Sequence, residues 1–227
     1  MQLSILQISI IAVTIAIALG GGIYAARSVH SAEGFSLGGR SAGVPMVAGT
    51  IAGTCIGGGA TVGTAQLAGT VGLSAWWFTI GTGLALVIMG LFYAKPLRGT
   101  ALETIAQYLV LNYVKGAGHF TTVVSSLGIF FSAVASCLPG IAILAALTGM
   151  PSWAAALPAF PWFSLIGNGV QNALVSVFSL LVGVLCTQSY SQAIFSASNP
   201  RTASIGAFTA ALITIPVGLP CALIGMY

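Results

Sequence analysis

Residues 48–65 read Ala-Gly-Thr-Ile-Ala-Gly-Thr-Cys-Ile-Gly-Gly-Gly-Ala-Thr-Val-Gly-Thr-Ala, with Gly57, Gly58 and Gly59 consecutive in the middle of an apolar run. Each glycine costs a helix about 1 kcal/mol relative to alanine. Three together favour an interruption, which frees carbonyls and amides that must meet protein, water or a ligand. A tight, glycine-lined helix crossing accounts for the same composition. Both readings stand on this stretch alone.

The rest of the chain sets the solvent. Of 227 residues, 57% are hydrophobic and 4% charged, and the mean hydropathy is +1.05. A soluble domain carries roughly a quarter to a third of its surface as charge, and a disordered chain needs low hydrophobicity. Six scattered Lys and Arg make no phosphate-tracking stripe, which excludes nucleic-acid binding. The chain reads as an all-α integral membrane protein. Cys55, Cys137, Cys186 and Cys221 lie in apolar stretches without metal-ligand spacing and read as small packing residues.

A helix needs about 20 apolar residues to cross the hydrocarbon. Six stretches qualify, at approximately 3–26, 44–70, 74–94, 119–149, 168–196 and 203–227, within a single transmembrane domain spanning 1–227. The first lacks a basic leader and reads as a retained span. Arg27, Arg40, Lys95, Arg98, Lys115 and Arg201 all fall on one side of the resulting zigzag. The positive-inside rule makes that side cytoplasmic in a cell-membrane protein, with both termini external. Residues 100–114 have the spacing of a short amphipathic helix on the inner face. Residues 151–167 hold Pro151, Pro158, Pro161, Trp153 and Trp162, and read as an external loop with aromatic anchors; Trp76 and Trp77 mark the other external interface.

A second polar cluster, Thr187-Gln188-Ser189-Tyr190-Ser191-Gln192, ends the fifth stretch. Intramembrane polar groups face a cavity or bond across helices. No catalytic constellation is present. His30, His119, Glu33 and Glu103 lie in inner connections, and the chain contains no Asp, so an enzyme is not expected.

Several words along the chain resemble the sodium:solute symporter family. Glu33-Gly34-Phe35 followed by Gly39-Arg40-Ser41 is similar to the signature entering that family's first core helix. Ala68-Gly69-Thr70 through Trp76-Trp77 resembles the exit of its broken helix. Thr104-Ile105-Ala106-Gln107-Tyr108-Leu109 resembles an inner Thr-x-Pro-Glu-Tyr-Leu helix, and Gln192-Ala193 with Pro200-Arg201 resembles a Gln-Arg segment. Gln107, Ala106 and Ala193 depart from the usual Glu, Pro and Arg.

The resemblance implies a partial LeuT-like inverted-repeat symporter: a first helix plus core helices 1, 2, 3, 6 and 7, with core helix 1 broken mid-membrane. It implies a shortened form or fragment, because the fourth, fifth and eighth core helices find no counterpart. By carry-over, sodium takes the carbonyls of Gly53 and Ile56. A small organic solute takes Gly57, Gly59 and Ala60, with Thr187, Gln188 and Tyr190 opposite. Na⁺ is the coupling ion and no cofactor is implied. The partners expected are Na⁺, the solute, the bilayer and another chain supplying the missing helices. A structural remnant acting as an assembly partner and a small channel are the alternative readings.

Overall fold

The computed structural model describes residues 5–27, 29, 32–148 and 169–226, and every regular element among them is helical. The loop with Trp153 and Trp162, and His30, lie outside the described residues. Helix α1 (Ile5–Ala26) is exposed from Ala12 to Ala26. A short α2 (Ala32–Leu37) leads into Gly38-Gly39-Arg40, whose φ angles of 56°, 63° and 56° turn left-handed. That conformation is open to glycine and strained for the arginine that follows.

Helix α3 (Val44–Cys55) carries Pro45 in its first turn, where the missing amide costs nothing. A π turn, Gly59–Gly63, then leads into α4 (Thr64–Val71). Gly72, at φ 64°, opens a 3₁₀ turn into α5 (Trp77–Ile88). A second π turn and α6 (Ala94–Gly99) complete that run. Next come α7 (Ile105–Asn112), the 34-residue α8 (Lys115–Thr148), α9 (Val170–Cys186), α10 (Gln188–Ser196) and α11 (Pro200–Gly225).

Helix α11 is the hub, packed on α3, α4, α5 and α6. Its inward positions are small: Ala203, Ala207, Ala210 and Ala211 are buried against Val47, Ile51, Leu86 and Met89. Without a hydrophobic drive between helices in lipid, such small residues set how closely backbones approach. At Gly218 and Gly225 the approach leaves no room at all; a methyl there would overlap Thr79 and the Ala65 backbone respectively. These contacts also give chain direction. Val47 lies against Gly206 and Ala65 against Gly225, so the α3–α4 run is parallel to α11. Thr79 meets Gly218 and Gly90 meets Ser204, so α5 runs back.

The stretches Gly59–Gly99 and Pro200–Gly225 are long and apolar enough to cross a bilayer, and α9 with α10 forms a third candidate bent by 51°. The reversal at Gly72 divides the first of these. One end of the bundle collects basic residues. Ala42 bridges Ala197, with Ala42 N donating to Ser196 O (3.2 Å) and Ser198 N to Ala42 O (3.0 Å). Arg98 donates to the Ala197 and Ser198 carbonyls, which brings Arg40, Arg98 and Arg201 to neighbouring turns. At the opposite end Trp76 does not serve as an exposed anchor. It packs on Ala68, Ala75 and Ala222, and its Nε1 donates to Ile215 O at 2.9 Å. The half-buried indole N–H thereby finds an acceptor on α11.

Candidate functional site: two facing helix breaks

The helical ladder stops after Cys55. Ile56 N still donates to Ala52 O (2.7 Å), but Ile56 itself has φ −88° and ψ 59°. The carbonyls of Gly53, Thr54, Cys55 and Ile56 therefore receive no amide four residues on. Gly57 O, by contrast, accepts from the amides of Ala60 (3.1 Å) and Thr61 (3.2 Å) and from the Thr61 hydroxyl (3.0 Å). Among the described residues, four successive carbonyls without an amide partner thus end α3, where the helix dipole is also negative.

The glycines here are not packing glycines. A methyl on Gly53 or Gly59 would have nothing within 4 Å, and Gly57 would meet only its neighbour Thr54 O at 3.9 Å. The crossing glycines lie instead on α5 and α11. Of the two readings of residues 48–65, the geometry is that of an interruption. Gly53, Thr54, Gly57 and Gly59 are exposed, while Ala60 is buried.

A second break stands alongside. Thr187 is extended (φ −78°, ψ 124°) between α9 and α10. Its amide and hydroxyl both turn back to Gly183 O, at 3.0 and 2.7 Å. The carbonyls of Leu185 and Cys186 have no amide partner, and the first amides of α10 are likewise open. The two breaks pack side by side through α3 and α10. Cys55, last residue of α3, lies in the buried cluster against which Tyr190, in the first turn of α10, is packed, with Thr214 of α11 close by. Thr214 is fully buried and donates to Ala210 O at 2.8 Å.

The candidate residues divide. Gly53, Ile56, Gly57 and Gly59 lie at the first break, and Thr187 and Tyr190 at the second. Gln188 also follows the second break, but its carboxamide is engaged by the backbone of residues 103–105. Cys55 and Thr214, buried beside the breaks, carried no signal beyond being polar atoms in apolar runs. Two more buried hydroxyls, Thr64 just after the π turn and Ser204, have no hydrogen-bond partner. A separate cavity of about 350 Å³, lined by Leu67, Trp77, Asn172 and Ser176 among others, opens at the tryptophan end.

The sodium:solute symporter family profile matches residues 35–160. The high affinity choline transporter 1 of Homo sapiens is 28% identical over 207 residues, covering 78% of this chain and 31% of that protein. The high-affinity choline transporter 1 of Torpedo marmorata is 31% identical over 170 residues, covering 74% and 27%. This chain thus spans less than a third of the length of the curated relatives it matches. No solved structure matches it. With more than half of the sequence inside the family's pattern, the chain belongs to the sodium:solute symporter family.

Proposed function

We propose that this chain takes part in sodium-coupled secondary transport of a small organic solute, with choline as the first solute to test. The observation that carries the reading is the row of unpaired carbonyls from Gly53 to Ile56 beside a second helix break. Carbonyl oxygens at the negative end of a helix replace the hydration shell of a hard monovalent cation, and broken helices near the membrane midplane use them for Na⁺. Gly53 and Ile56 are the proposed sodium ligands. Gly57, Gly59, Thr187 and Tyr190 line the solute side, with Ala60 behind them and Gln188 at the margin. The relatives named above are choline transporters, and the Tyr190 ring offers a face suited to a quaternary ammonium.

Energetically, one Na⁺ moving through 100 mV releases about 2.3 kcal/mol, enough for roughly a fifty-fold solute gradient. The α-helical runs are proposed to make six passes in a LeuT-like arrangement, with the basic end of the bundle cytoplasmic in the cell membrane. The exposed stripe of Gly49, Thr50, Gly53 and Thr54 on α3 is proposed to be covered by a further polypeptide segment that completes the ion shell. The test is equilibrium binding of ²²Na⁺ and radiolabelled choline to the full chain in lipid nanodiscs. Saturable choline binding that strengthens with Na⁺ and not with K⁺ is expected. Absence of any saturable Na⁺ effect overturns the reading in favour of an assembly partner. Single-channel conductance without saturable binding overturns it in favour of a channel.

A further inference from the structure

Gln188 is the first residue of α10, directly after the extended Thr187 where α9 and α10 bend by 51°. Its side-chain Oε1 accepts from Ile105 N at 3.1 Å, and its Nε2 donates to Glu103 O at 3.2 Å. The orientation of the amide is dictated chemically, because an N–H needs an acceptor and a carbonyl needs a donor. Ile105 N is the first amide of α7, one of the orphan donors at a helix start. A local capping box satisfies part of that start. The Thr104 hydroxyl accepts from Gln107 N (3.1 Å), while Gln107 Oε1 accepts from Glu103 N (2.9 Å) and Thr104 N (3.3 Å). Gln188 supplies from 83 residues away an acceptor that the box does not provide for Ile105 N.

We propose that Gln188 is a positioning residue that ties the bend at Thr187 to the seat of α7, so that the second helix break and the inner-surface helix move as one unit. The two-point grip on Glu103 and Ile105 resists rotation as well as translation. One face of α7 rests on α8, where Gly118 lies against Val110 and the Ala106 carbonyl. A change in the α9–α10 angle must break both Gln188 bonds or carry α7 with it across α8. The inference goes beyond the transport reading and does not depend on it.

The experiment is hydrogen exchange by mass spectrometry on the full chain in phosphatidylcholine nanodiscs, with neither sodium nor solute present. Its result is thereby separable from that of the binding test. The decisive variant is Ile105→Pro. Proline is tolerated at the first helical position, and Thr104 at φ −138°, ψ 153° already holds the conformation that precedes proline. The donor to Gln188 is lost, and Ile105→Ala, which keeps that donor while trimming the half-buried side chain, is the control for the packing change. Exchange at residues 191–195 of α10 is expected to accelerate about two- to tenfold, the range set by one hydrogen bond. Gln188→Leu is expected to accelerate both 191–195 and 105–109, and Gln188→Glu, which keeps the acceptor, to restore part of the protection. The double variant should be no faster than Gln188→Leu alone. Unchanged exchange at 191–195 in Ile105→Pro, additive effects in the double variant, or an equal loss of protection throughout α11 would each overturn the proposal.

Discussion

Cys55 and Tyr190 pack together: Cys55, at the end of α3, sits in the buried cluster that Tyr190, in the first turn of α10, lies against. A row of open carbonyls and a set of open amides meet where α3 packs on α10. Tyr190→Phe and Cys55→Ala each remove one polar group of the pair while leaving the backbone breaks intact. Loss of one polar partner is worth about 0.5–1.5 kcal/mol, so each variant is expected to weaken Na⁺ binding about two- to tenfold. The double variant should be no weaker than the more affected single one, as expected for two groups in one contact. Fully additive losses in ²²Na⁺ binding would show that the residues act separately.

The two classes of glycine make opposite predictions. Gly218→Ala places a methyl into Thr79, and overpacking of this kind costs about 1–3 kcal/mol. Gly53→Ala meets nothing within 4 Å and should leave stability within about 0.5 kcal/mol. Denaturant titration in mixed micelles compares them directly. Equal destabilisation would mean that the 53–59 segment is a packed crossing after all.

Trp76→Phe keeps the ring packing on Ala68 and Ala222 but deletes the donor to Ile215 O. The Thr79 hydroxyl still reaches that carbonyl at 3.5 Å, so the loss is that of one half-buried hydrogen bond, about 0.5–1.5 kcal/mol. A lowered melting temperature is expected. A neutral result would place Trp76 at the bilayer interface, where phenylalanine substitutes without such a cost.

Thr64 is 1% exposed and its hydroxyl has no partner. Burying an unbonded hydroxyl costs about 1–3 kcal/mol, and valine has nearly the same shape. Thr64→Val is therefore expected to raise the melting temperature in the absence of ligand. A lower one would reveal a bond that this hydroxyl makes in the membrane.

Legibility followed the range of the interaction. The interruption near residue 57 could be anticipated because backbone cost is local: three glycines weaken a helix wherever it packs. The break at Thr187 was visible only as a polar cluster, since nothing in Thr-Gln-Ser-Tyr distinguishes an extended residue from a helical one. Trp76 was read as an interface marker from its type alone, and its bond to the Ile215 carbonyl, 139 residues away, had no signal along the chain. Gln188 was grouped with solute ligands by carry-over from the family resemblance; its hydrogen bonds to residues 83 and 85 positions away left no mark in the local sequence.

What the sequence by itself determined is the solvent, the helical class, the family resemblance and the weak point at Gly57–Gly59, because these depend on composition and on neighbours along the chain. Tertiary structure alone decided which carbonyls stay open, that Cys55 meets Tyr190, and that Gln188 grips α7. In a chain apolar on nearly every helical face, hydrophobic periodicity does not mark the inward side. That choice passes to close backbone contacts and long-range hydrogen bonds, which come into being only when the helices pack.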